Sequence, residues 1–130
     1  MAESIKTLVV DASFVLSFLL PDEEKPESDQ VFTDYKEGRI RLISSPILPF
    51  EVLNALKTAV KQKRIEKSRG EILGQSFLKL HIYLERMEYA EIFVLALKHD
   101  ITVYDASYLF VAQKLDVSLR TFDKALQKLN

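Results

Sequence analysis

The chain has 130 residues, a hydrophobic fraction of 48%, no cysteine and a formal net charge of −1 at pH 7. That length suits one domain with a core of its own, and the missing cysteine excludes a disulfide framework and any thiolate metal site. The near-neutral charge excludes nucleic-acid binding by bulk electrostatics, so such a partner has to be held by a local basic patch or through a bound cation.

The N-terminal segment Met1–Lys6 shows no long apolar stretch after a basic start. The longest apolar run, Phe14 to Leu20, is broken by Ser17 and is too short to span a bilayer. A cytoplasmic protein with no membrane contact is expected. Thr7-Leu8-Val9-Val10 predicts a buried strand, leading through Asp11-Ala12-Ser13 into a helix to about Leu20. Pro21 to Pro26 reads as a turn region before a second helix. Arg41-Leu42-Ile43-Ser44 predicts the next strand, leading through Pro46 and Pro49 into a long helix. Gly38 and Gly70 punctuate the middle, and Gly74 falls inside a helix predicted over Ser68 to Leu80. A further strand is expected around His81 to Tyr83, then a helix from about Tyr89 to His99. Another helix opens at Tyr104 or Asp105 and runs to Leu115. Val117 to Thr121 predicts the last strand, leading through Phe122-Asp123-Lys124 into a final helix. Asp100 and Asp116 read as turn residues. Strands alternating with helices predict an α/β fold, a small central parallel sheet flanked by helices in one domain over 1–130.

The acids are informative by their placement. Asp11 follows the first strand, Asp123 follows the last, Asp105 stands at the opening of a helix, and Glu51 lies in the first turn of the helix after the second strand. Ligands of open parallel sheets bind just beyond the carboxyl ends of the strands. Four acids from four separate segments can meet there, and their repulsion calls for a neutralising divalent cation. Each acid alone has a plainer reading. Asp11 and Asp123 suit helix N-caps. On a helical wheel Leu53, Leu56 and Val60 form the core stripe, and Glu51 shares a solvated face with Asn54 and Thr58. The joint pattern is what points to chemistry.

At these residues the sequence resembles the PIN-domain family, and within it the toxin ribonucleases of VapC type. Val9-Val10-Asp11-Ala12-Ser13 is similar to that family's opening strand and first acid. Pro49-Phe50-Glu51-Val52-Leu53-Asn54-Ala55-Leu56 is similar to its Glu-bearing helix, and Val103-Tyr104-Asp105-Ala106-Ser107-Tyr108 to its third acidic motif. Leu119-Arg120-Thr121-Phe122-Asp123-Lys124 is similar to its closing Thr-x-Asp motif. No single motif is specific, but four in the right order are. The segment from Lys57 to Lys98 matches only in its helical character.

The resemblance implies a three-layer PIN-like fold and a metal-dependent endoribonuclease, a hydrolase of RNA phosphodiester bonds that uses Mg²⁺ or Mn²⁺. The cation reverses the local charge, polarises the phosphoryl group and lowers the pKa of a bound water. Asp11 and Asp105 are then the principal metal ligands. Asp123 is a further ligand, direct or through water, and Glu51 either ligates or orients the attacking water as general base. Ser13 and Thr121 can support a carboxylate or a metal-held water by hydrogen bonds, or serve as local caps. Lys57, Lys61 and Arg64, at i, i+4 and i+7, can grip the RNA backbone, although a solvated face explains such a run equally well. The resemblance also implies a homodimer and a cognate antitoxin, for which an apolar groove between helices would be the seat.

Other readings have less support. His81 and His99 form no metal-binding spacing. Tyr104 and Tyr108 read as packing residues near the site, with base stacking as the functional alternative. A haloacid-dehalogenase-like phosphatase needs an acid where Ser13 stands, and a response-regulator receiver needs paired acids where Ala12 follows Asp11. The remaining competitor is a non-catalytic PIN-fold module that binds protein or RNA.

Overall fold

The computed structural model describes residues 5–130. Met1 to Ser4, part of the N-terminal segment read above, lie outside the described residues. Four strands, β1 (Lys6–Val10), β2 (Ile40–Ser44), β3 (Tyr83–Leu84) and β4 (Leu119–Arg120), form one sheet in the order β3-β2-β1-β4. Every pairing is parallel, with Leu8 opposite Leu42, Val9 opposite Ile43 and Leu119, and Ile43 opposite Tyr83. The helices between them are α1 (Ala12–Leu19), α2 (Pro26–Lys36), α3 (Leu48–Lys61), α4 (Lys67–Leu78), α5 (Tyr89–His99), α6 (Val103–Leu115) and α7 (Lys124–Leu129). This is the three-layer α/β arrangement that the alternation predicts. Among the described residues no helix is long and apolar enough to cross a membrane.

The core follows from the strand sequences. Leu8, Val9 and Val10 are all buried, so β1 is covered on both faces, as a central parallel strand must be. On α6 every residue from Ala106 to Ala112 is buried, and this helix packs against α5 and β1. Thr102 caps α6 by accepting the Asp105 amide, so the helix opens at Val103, slightly earlier than predicted. The short strand β3 lies later than the predicted His81–Tyr83, because His81 takes a left-handed φ of 51° that ends an extended run. Asp100 and Asp116 occupy left-handed positions at the ends of α5 and α6, the turn role read from the sequence.

The wheel drawn for α3 needs correction. Its buried stripe is Leu48, Val52, Leu56 and Ala59, whereas Leu53 is exposed and Val60 half-buried. Leu53 and Val60 instead face α4, where Gly70 and Gly74 let the two helices approach. A Cβ at Gly70 would lie 2.7 Å from Val60 Cγ2, and one at Gly74 would lie 3.4 Å from Leu53 Cδ2. The corrected stripe puts half-buried Glu51 beside the core, not on a fully solvated face with exposed Asn54 and Thr58.

The β4 edge of the sheet is closed by side chains around α7. Asn130 Nδ2 donates to the Leu119 carbonyl at 2.7 Å, while its Oδ1 accepts the Leu119 amide at 3.0 Å. Gln127 Nε2 donates to the Thr121 carbonyl at 2.9 Å.

Candidate active site

Asp11 is the first residue beyond β1 and is 3% exposed. Its Oδ1 accepts the Phe14 amide at 3.0 Å and the Ser13 hydroxyl at 2.7 Å, and its Oδ2 accepts the Thr121 hydroxyl at 2.5 Å. Asp11 is thus the N-cap of α1, and the capping role and the candidate chemical role belong to one carboxylate. A carboxylate offers about four lone-pair positions. The three bonds leave one open, on Oδ2.

Ser13 and Thr121 are themselves fixed. Ser13 Oγ accepts the Phe122 amide at 2.9 Å, and Thr121 Oγ1 accepts the Asp123 amide at 2.9 Å. With their oxygens accepting backbone N–H groups, both hydroxyls are turned to donate to Asp11. Two hydrogen-bond relays therefore tie the segment after β4 to the carboxylate after β1. Asp123 caps α7 through Oδ1, which accepts the Leu126 amide at 3.0 Å.

Asp105 sits in the first turn of α6, where its amide is taken by Thr102 and its carboxylate is half-buried. Glu51 occupies the first turn of α3, and its Oε1 accepts the Tyr108 hydroxyl at 2.5 Å. The end of β2 is locked to the same region. Ser44 Oγ donates to the Val10 carbonyl at 2.5 Å, and the Ser45 and Ser107 hydroxyls share a hydrogen bond of 2.8 Å.

The electrostatics tie the four acids together. Burial pushes the Asp11 carboxyl above the usual carboxylate range, hydrogen bonds from Thr121, Ser13 and Phe14 oppose it, and the Asp123 charge adds to it. Asp105 is also raised, first by burial and then by the charges of Asp123, Glu51 and Asp11. Four acids from four segments therefore sense one another at the carboxyl edge of the sheet. Their all-oxygen donor set has the chemistry of a hard divalent cation. The spacing is wider than a finished chelate, for among the described residues no three acids stand close enough together to hold an ion. A cation would have to draw the carboxylates inward.

The cations named from the sequence divide. Arg64 lies beyond the end of α3, and its guanidinium is taken by Asp22 at 2.8 Å and Glu23 at 2.7 Å. Two solvent-accessible carboxylates answer its charge. Lys57 is exposed but stands roughly 120° round the helix from Glu51, lining the groove between α3 and α4. Exposed Lys61 and Lys57 form no ion pair among the described residues. Tyr108, read as packing, turns out to serve Glu51. The available signal was its position three residues after Asp105, on the same face of α6.

The sequence profile of the PIN domain matches residues 8–130. The chain belongs to the PIN-domain family. This PIN domain is similar to Ribonuclease VapC3 of Pyrobaculum aerophilum, 33% identical over 125 residues that cover 92% of this chain and 91% of the relative. The crystal structure of PAE2754, from the same organism, shares the fold. It superposes with a TM-score of 0.74 at 22% identity, covering 96% of this chain and 85% of that one. The VapC type inferred from the four motifs agrees with the first relative.

Proposed function

We propose that this PIN domain is a metal-dependent endoribonuclease and the toxin of a toxin–antitoxin pair. The observation that carries the reading is the coupling of Asp105 to Asp123, Glu51 and Asp11 at one edge of the sheet. Mutual repulsion among neighbouring carboxylates is relieved by a divalent cation, and oxygen donors favour Mg²⁺ or Mn²⁺. Bound there, the ion would supply Lewis-acid stabilisation of a phosphoryl oxygen and an activated water. Asp11 and Asp105 are assigned as its main ligands, with Asp123 as a further one.

The chain's own groups prepare the site. Ser13 and Thr121 hold the Asp11 carboxylate so that its one open lone pair keeps a fixed direction. Glu51 is assigned to ligate the ion or to orient the attacking water and receive its proton. Lys61, and Lys57 at the edge of its groove, are assigned to the RNA backbone. The similarity to a protein named as a ribonuclease supports the substrate class, and the cytoplasm is the compartment we assign.

Two partners complete the reading. The groove between α3 and α4, with Leu53, Ile72 and Leu78 in its wall and Lys67 and Lys79 along it, suits an amphipathic antitoxin helix with acidic flanks. A second copy of the chain suits the apolar face of α5, where Tyr89, Phe93, Val94 and Leu97 are exposed.

The test is cleavage of single-stranded RNA by the purified chain with Mg²⁺ or Mn²⁺, and again after chelation. The parent should cut only with metal, and Asp11→Asn and Asp105→Asn should fold and not cut. Cutting by either variant at the parental rate would overturn the site assignment. A folded parent that binds RNA and cuts nothing with either metal would be a non-catalytic module.

A further inference from the structure

Tyr108 is 1% exposed, yet its polar end is not idle: the hydroxyl donates to Glu51 Oε1 at 2.5 Å. It is also near the Ala12 amide and the Asp11 carboxylate, the first two residues beyond β1. One hydroxyl thus stands between α6, α3 and the β1–α1 junction, three of the segments that carry acids. A buried phenol donates its one proton to the nearest acceptor, and here that acceptor is Glu51.

Glu51 needs such a donor. Among the described residues, Tyr108 makes the only hydrogen bond to its side chain. Asp11, by contrast, is held by three donors. Glu51 and Asp105 repel each other across the cluster. A long side chain at the first turn of a helix escapes that repulsion by turning to water unless something retains it. The backbone of α6 is well placed to retain it, since the helix is buried and is tied to the end of β2 through Ser107 and Ser45.

We propose that Tyr108 is a positioning residue for Glu51, keeping that carboxylate turned into the acid cluster. The inference rests on the metal-dependent reading above. Tyr108→Phe removes the hydroxyl and keeps the ring, so packing is nearly conserved. Mn²⁺ affinity is measured by calorimetry for the parent, Tyr108→Phe, Glu51→Gln and the double variant. Loss of a group that orients a ligand weakens metal binding by about 10-fold. That loss is expected in the parent background and not in the Glu51→Gln background, with kcat reduced and KM for RNA unchanged.

An equal loss in both backgrounds, or no loss in either, would reduce Tyr108 to packing and overturn the inference. A raised KM with unchanged kcat would make it a substrate contact and overturn it too. A parent that binds no Mn²⁺ would sink the metal reading itself, and this inference with it. Should Tyr108→Phe fail to fold, tyrosine labelled with ¹³C at Cζ gives an independent readout in the chain's five tyrosines. One resonance should move on Glu51→Gln, and if none moves the pairing does not exist in solution.

Discussion

Thr121→Val is the sharpest test of the network around Asp11. The substitution keeps the shape of the side chain and removes two strong hydrogen bonds, the one donated to Asp11 Oδ2 and the one accepted from the Asp123 amide, with a longer 3.3 Å contact to the Ser13 hydroxyl. A bond to a charged group contributes about 1.5–3 kcal/mol and a neutral one about 1 kcal/mol, so the loss is about 3 kcal/mol. With an unfolding entropy of about 2.1 cal/mol/K per residue, a chain of 130 residues should lose roughly 11 °C in Tm. The loss should also depend on pH. Asp11 already has a raised pKa in the fold, and Thr121 is the strongest of the bonds that restrain it. A group raised on folding stabilises fully below its unfolded pKa and loses that contribution as pH rises through the folded pKa. Removing Thr121 raises the folded pKa further, so the variant should lose more at pH 8 than at pH 4. Thermal unfolding followed by circular dichroism at the two pH values measures both quantities. A Tm within about 3 °C of the parent, or the same loss at both pH values, would refute the network.

Other outcomes follow from the same geometry. Asp105→Asn removes a carboxylate that burial and three neighbouring acids raise, so the metal-free variant should be more stable than the parent at pH 7. The gain should vanish in urea titrations below about pH 3, where the parent's Asp105 is protonated in both states. Gly70→Ala would ordinarily gain about 1 kcal/mol in a helix interior, but the new Cβ would meet Val60 Cγ2 at 2.7 Å. Overpacking of that kind costs about 1–3 kcal/mol, so a lowered urea midpoint is expected. Phe93→Asp puts a charge on the apolar face of α5, and light scattering should find a dimer for the parent and a monomer for the variant.

The sheet, and the position of Asp11 and Asp123 at strand ends, were legible because both are written locally. An apolar run ending in Asp11, or in Thr121-Phe122-Asp123, carries its own strand end and helix start. What stayed hidden depends on neighbours distant in sequence. The α3 wheel misled because that helix has two apolar flanks, one on the core and one on α4, and periodicity does not say which is which. The role of Tyr108 depends on a partner 57 positions away. Arg64 looked like part of a helical stripe because nothing in the sequence announces that α3 stops at Lys61. Its capture by Asp22 and Glu23 is a contact across more than 40 positions.

The amide of Asn130 has a consequence for assembly. By offering Leu119 both a donor and an acceptor, it imitates one residue of an additional strand, and Gln127 covers the next carbonyl along. Border strands left bare invite pairing with other chains. Here the ladder is terminated by side chains, so sheets of two molecules have no template on which to fuse along β4. Association on that side would then have to use side-chain surfaces in place of backbone pairing.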